Sequence, residues 1–189
     1  MLYGRKWHEY APQWDGMKIN AGRENEFKKL AQFAIDHRQQ YLVIEENTGV
    51  PWAMIACLHR RESDADFTTY LGNGDPLKRK TVNVPKGRGP FPSFEAGAID
   101  ALRYDRLSDV TDWRLEKALY YVELFNGPGY ANKGLPSPYL WGGTNIQKPG
   151  KYTSDGKWSG TAVDKQPGCA PILRAIIQID PSSQLERED

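Results

Sequence analysis

The residue with the clearest chemical potential in this chain is a glutamate on the apolar side of a short helix. Gly49-Val50-Pro51 leads into Trp52-Ala53-Met54-Ile55-Ala56-Cys57-Leu58-His59-Arg60-Arg61-Glu62-Ser63. Pro51 suits a first helical turn, where its missing N–H costs nothing and its φ is already helical. Ile55 and Leu58 set the apolar stripe, and counting on seven from the first and four from the second lands on Glu62 both times. A carboxyl facing apolar neighbours loses solvation of its charged form, so it keeps a proton near neutrality, which is the state a general acid needs. The competing reading turns Glu62 outward or pairs it with Arg60 or Arg61 at the helix end.

A helix that opens on Gly-Val-Pro, runs through a short apolar stretch and closes on Glu-Ser resembles the catalytic helix of goose-type lysozymes and soluble lytic transglycosylases. Here the matching residues are Gly49-Val50-Pro51, Ile55 and Glu62-Ser63. A second family element, an Ala-Tyr-Asn-Ala-Gly-like turn closing a later helix, is similar to Leu124-Phe125-Asn126-Gly127-Pro128-Gly129-Tyr130, with Phe125 in place of the Tyr and Pro128 among the glycines. Length and aromatic content are similar to those of phage endolysins. The resemblance implies that Glu62 protonates the glycosidic oxygen between N-acetylmuramic acid and N-acetylglucosamine. It also implies a mainly α lysozyme-like domain with a small β-hairpin beside the catalytic helix.

Glycoside cleavage needs an acid at the leaving oxygen. It also needs either a second carboxylate or a hydroxyl of the sugar itself, which closes an anhydro ring. Asp75, thirteen positions after Glu62 on a tight turn, is the best second carboxylate, at a separation similar to that of an acidic residue in goose-type lysozymes. Thr81 resembles a Thr that follows the Glu and Asp in several phage lysozymes and would orient water; plain β-propensity is the other reading. Asp64 and Asp66 rank lower because they suit the turn after the helix. Ser63 beside the acid and Tyr70 by position are expected on the substrate side, and by the second motif Asn126 and Tyr130 join them. For these last two the alternative is a helix C-cap with a packed Tyr.

The elements that must position these groups follow from periodicity. Residues 1–22 form an aromatic N-terminal arm in which Pro12 discourages a long helix. Phe27, Leu30, Ala31, Ala34, Tyr41 and Ile44 predict a helix of some twenty residues from Glu24, ended by Asn47-Thr48-Gly49. Asn-Gly and Asp-Pro pairs at 73–76 are turn signals, and Leu77 to Pro85 predicts a short strand or hairpin. Ser93 caps a helix through Phe94, Ile99 and Leu102. Thr111 or Asp112 caps the next, with Leu115, Ala118, Leu119, Val122 and Phe125 on its face and Gly127 as its stop. Residues 127–168 predict a long, aromatic loop over the cleft, followed by a helix from about Pro171 and a frayed tail over 181–189.

Composition bounds the rest. A length of 189 residues with 39% hydrophobic content suits one domain. Lys+Arg 25 against Asp+Glu 24 gives no overall charge to favour nucleic acid or a membrane surface as the main partner. Cys57 and Cys169 lie among small apolar residues and read as buried free thiols; His8, His37 and His59 have no zinc-site spacing, so no metal or other cofactor is expected. No leader follows a basic start, and no run reaches the length of a membrane span. The expectation is a monomeric peptidoglycan glycosidase of the muramidase type, made without a classical signal peptide and acting on the bacterial wall after phage-type release. Lytic transglycosylation, or an inactive wall- or chitin-binding module on the same fold, are the alternatives.

Overall fold

Apolar residues at three-and-four spacing make most of this chain helical. The computed structural model describes residues 7–154 and 157–188. In chain order these form α1 (Tyr10–Gly16), α2 (Glu24–Asp36), α3 (Arg38–Thr48), α4 (Trp52–Ser63), α5 (Phe94–Tyr104), α6 (Leu115–Phe125), α7 (Pro138–Trp141), β1 (Lys151–Ser154), β2 (Lys157–Ser159) and α8 (Cys169–Ile179). The architecture is mainly helical with one small two-stranded antiparallel hairpin, in which Tyr152 pairs with Trp158 and Lys151 with Ser159. Its backbone contacts divide the chain into two compact units. One is Phe33–Trp113; in the other the chain before Phe33 joins the chain after Trp113.

Within Phe33–Trp113 three helices share a core: Tyr41 and Ile44 of α3, Met54, Ile55 and Leu58 of α4, and Ala98, Ala101 and Leu102 of α5 are all buried. The single helix expected from Glu24 onward is broken at His37, whose φ of −104° and ψ of 13° leave the helical region. The Phe33 carbonyl accepts the last ladder bond from the His37 N–H at 3.2 Å and also lies 2.9 Å from the His37 imidazole Nδ1. Gly49 ends α3 as expected, with φ +72° and its N–H donated to the Glu45 carbonyl at 2.7 Å. Ser93 caps α5 by accepting from the Ala96 N–H.

The strand expected over Leu77 to Pro85 does not form. The described backbone bonds of this stretch go to side chains and to its own loop, no second strand lies alongside, and Thr69 and Pro76 make only an isolated bridge. The hairpin belongs instead to the 127–168 stretch, which is no continuous loop: it holds a 3-10 turn at Ala131–Lys133, α7 and both strands. Gly142 and Gly168 cross so closely that a Cβ on Gly168 would sit 2.4 Å from the Gly142 nitrogen, and the Gly168 N–H donates to the Gly142 carbonyl at 2.9 Å. Of the aromatic run noted there, Asp155 and Gly156 lie outside the described residues.

In the second unit α1 takes up the middle of what was expected as an irregular arm. Tyr10 and Trp14 are buried, and Pro12 falls in the first turn where it removes no helical bond. Residues 1–6 of that arm lie outside the described residues. Helix α6 begins at Leu115 rather than at Thr111 or Asp112, and its first N–H donates to the Glu186 carbonyl at 2.7 Å. The tail is therefore tied down through residue 188. The Arg187 guanidinium donates to the buried Glu116 at 3.1 Å and to Asp15 at 2.7 Å, and the Glu188 N–H also donates to Glu116 at 3.1 Å. Arg187→Met, which leaves Glu116 with one donor fewer in a buried position, is expected to destabilise this unit by about 1–2 kcal/mol, read as a lower urea midpoint. Cys57 and Cys169 are both buried and unbridged. Among the described residues no helix is long and apolar enough to cross a membrane.

Candidate functional site

Helix α4 is buried on every side from Trp52 to His59, so it is a core helix rather than an amphipathic one. Exposure begins at Arg60, and Glu62 sits half-buried on the last turn, where the helix leaves the core. The end of the helix is closed by the His59 carbonyl, which accepts from the backbone N–H groups of Asp64 and Ala65 and from the Ser63 hydroxyl at 3.4 Å. Asp64 and Ala65 take the left-handed conformation, and Asp64 pairs with Arg60. Asp66 accepts from the Thr68 N–H and hydroxyl, which hold its carboxyl below the usual range. Asp64 and Asp66 are thus turn residues, as their sequence positions suggested.

The turn that follows comes back onto the helix end. Gly74 has φ +74°, and a Cβ there would stand 3.3 Å from the Glu62 carbonyl oxygen. A side chain at that position would meet both an unfavourable backbone conformation and the helix. The Gly74 N–H donates to the Tyr70 carbonyl at 2.8 Å and the Tyr70 N–H to the Asp75 carbonyl at 2.7 Å, which closes the turn. Glu62, Ser63 and Asp75 therefore meet at one backbone junction, with Gly74 packed on the Glu62 backbone carbonyl and Asp75 next in the chain.

Asp75 is buried, and both of its oxygens are engaged. Oδ2 accepts from the N–H groups of Val82 at 2.8 Å and Asn83 at 2.9 Å, and Oδ1 accepts from the Asn83 side-chain amide at 2.8 Å. The Asn83 N–H bond, supported by Val82, the Asn83 amide and the Arg79 charge, holds the carboxyl below the ordinary carboxylate range against the cost of burial. Asp75 is thus an ionised clamp on the loop. Asp75→Ala is expected to speed hydrogen exchange at the Val82 and Asn83 amides. A carboxyl depressed in the folded state stabilises above its unfolded value of about 3.8, so wild-type protection holds from neutrality down to that pH and is lost below it.

Thr81 is buried and its hydroxyl is fully used: it donates to the Pro85 carbonyl at 2.5 Å and accepts from the Arg88 N–H at 3.0 Å. Its single proton is spent inside the loop, so the structure gives it a scaffolding position. Tyr70 is fully buried, not a cleft wall. Its ring stacks on Phe91 at 5.1 Å and 3°, and its hydroxyl donates to Asp100 at 3.0 Å. Burial and the Asp100 carboxylate push that phenol upward. Arg88 grips Asp100 of α5 through two nitrogens, Nε at 2.9 Å.

Asn126 and Tyr130 belong to the other compact unit. Asn126 is exposed and caps the C-terminus of α6, and Gly127 follows with φ +91°. Tyr130 is buried and packed edge-on against Tyr152 at 5.7 Å and Trp158 at 5.6 Å, while the Lys133 ammonium covers Trp158 at 4.6 Å. The sequence marked Tyr152 and Trp158 as part of an aromatic loop; it gave no sign that they meet Tyr130.

Sequence reasoning also missed the cluster behind α4. The buried His59 ring lies 4.1 Å from Phe94 and 4.8 Å from Phe67, with its Nδ1 3.0 Å from the Tyr41 hydroxyl. Desolvation pulls this imidazole down to about 4, partly opposed by the backbone and charge of Asp66. A lone His on a predicted apolar face is the signal that was available. Among the described residues no group of three or more His, Cys, Asp or Glu side chains is arranged to hold a metal. Comparison with models of protein families, with curated proteins and with solved structures finds no match.

Proposed function

We propose that this chain cleaves the glycan strand of bacterial peptidoglycan, with Glu62 as the general acid. The observation that carries the reading is the junction at the end of α4, where a half-buried glutamate leaves the core beneath a turn that delivers a second, ionised carboxylate. Acid-assisted glycoside cleavage uses two carboxyl groups, one to give a proton and one to stay charged, and Glu62 and Asp75 are the pair this junction offers. In the hydrolytic form, a muramidase, Glu62 protonates the glycosidic oxygen between N-acetylmuramic acid and N-acetylglucosamine. Asp75 then stabilises the positive charge that develops on the sugar.

The three hydrogen bonds on Asp75 favour a second reading. A carboxylate held by Val82 and Asn83 is a poor mobile nucleophile, and the Thr81 hydroxyl has no proton left for a water. Lytic transglycosylation needs neither, because a hydroxyl of the substrate closes the 1,6-anhydro ring. Mass spectrometry of fragments released from purified peptidoglycan separates the two. Reducing-end muropeptides absent with Glu62→Gln support the muramidase, and 1,6-anhydro ends absent with Glu62→Gln support the transglycosylase. No glycan fragment from the wild-type protein would overturn both and leave a wall-binding role.

A further inference from the structure

The near-zero overall charge conceals a local concentration. Between Asp75 and Glu95 the chain has no acidic residue, and it carries Lys78, Arg79, Lys80, Lys86 and Arg88. Arg88 is spent on Asp100, while Lys78, Arg79, Lys80 and Lys86 are exposed. Among these cations stand Val82 at 71% exposure and Val84 at 76%, the two most exposed large hydrophobic side chains among the described residues. We infer that this loop is a docking surface for an anionic phospholipid bilayer, with Val82 and Val84 entering the interface and the four cations meeting lipid phosphates.

Three features carry the choice of occupant. Charge complementarity selects an anionic partner. The valines select one with an apolar interior: a glycan strand would gain little from two aliphatic tips without aromatic faces, and a nucleic acid would use the charges alone. Much of the backbone around the valines is already provided for. The N–H groups of Val82 and Asn83 donate to Asp75, the Asn83 carbonyl accepts from the Asn73 side chain at 3.1 Å, the Pro85 carbonyl accepts from Thr81, and Pro85 has no N–H. Approach to a low-dielectric interface therefore strands none of these groups, and the clamp holds the tip in one shape before contact. The bonds that tie up Asp75 and Thr81 thus have a use of their own.

The inference does not depend on the role of Glu62. Its test is co-sedimentation of the full chain with vesicles of equimolar phosphatidylcholine and phosphatidylglycerol, with pure phosphatidylcholine vesicles, and with purified peptidoglycan. Wild-type protein is expected to pellet with the anionic vesicles and to be released by high salt. Lys78→Gln with Lys80→Gln is expected to lower the partition about 25-fold, since each cation near an anionic surface contributes roughly five-fold. Val82→Ser with Val84→Ser should lower it about tenfold while the urea midpoint stays unchanged, because both side chains are exposed. Glu62→Gln should bind vesicles as wild type does, so failure here and failure of the glycosidase reading are told apart. Absence of wild-type binding to anionic vesicles, binding unaffected by the valine pair, or loop-dependent binding to peptidoglycan alone would each overturn the inference.

Discussion

Glu62→Gln is expected to cut the release of glycan fragments from purified peptidoglycan by about 10²–10⁴-fold, the range a positioned general acid supplies. The amide keeps the size and polarity of the side chain but has no proton to give at the pH where an acid must give one. Glu62 lies beyond the fully buried part of α4, and the turn approaches its backbone carbonyl rather than its carboxyl, so the substitution should leave the fold intact. An unchanged urea midpoint with the activity gone is therefore the expected pair of results. Asp75→Asn gives the comparison. It removes the charge and disturbs the loop, because the new amide nitrogen must face donors already aimed at the carboxylate. If the reaction is hydrolytic, Asp75→Asn should approach the loss seen with Glu62→Gln; if the anhydro route operates, its activity should stay within about tenfold of wild type. A Glu62→Gln protein that releases fragments at the wild-type rate would remove Glu62 from the chemistry.

What the sequence made legible was mostly local. Gly49, Ser93 and Gly127 mark their helix ends because cap chemistry depends on a few neighbouring residues, and the 3.6-residue pattern over Phe94–Tyr104 and Leu115–Phe125 is written in the side chains themselves. Helix α4 was legible as a helix but not as one buried all round, since Ala53, Ala56 and Cys57 are as compatible with a partly wet face as with a dry one. The Leu77 to Pro85 stretch misled because Thr81, Val82 and Val84 favour strands, while the decisive partner, the Asp75 carboxylate that takes the Val82 and Asn83 N–H groups, leaves no trace in an alternating pattern. Start signals at Thr111 and Asp112 failed for a similar reason: the first N–H of α6 is satisfied by Glu186, some seventy residues later. At the candidate site, the placement of Glu62 and Ser63 on a helix end and of Asp75 in a turn could be read from local signals. The burial of Tyr70 under Phe91 and the grip of Arg88 on Asp100 are long-range contacts that spacing does not encode.

The second large effect is expected on acid stability, and it comes from a residue three positions before Glu62. His59 is fully buried among Tyr41, Phe67 and Phe94, where desolvation brings its imidazole from an ordinary 6.5 down to about 4. An unfolded chain takes up a proton there near pH 6.5, while the folded chain resists until about pH 4. Between those values the unfolded state binds more protons, so stability falls as the pH falls through the window, and below it this group adds no further loss. A shift of this size corresponds to about 3 kcal/mol, a large share of the stability of an ordinary domain. The depressed carboxyls of Asp66 and Asp75 act below 3.8, so the two sources of acid sensitivity fall in separate ranges. Urea midpoints taken from neutrality down to pH 4 should therefore decline steadily for the wild-type protein. His59→Gln, which keeps an acceptor near the Tyr41 hydroxyl, should start lower because its packing against Phe94 is lost, yet stay nearly flat over the same range. A decline as steep in His59→Gln as in wild type would assign the acid sensitivity elsewhere. Under the proposed function this bears on catalysis, because the same residue supplies the carbonyl that closes α4 onto Asp64, Ala65 and Ser63. An imidazole forced to accept a proton in this core is expected to loosen the helix end from which, on that proposal, Glu62 presents its own.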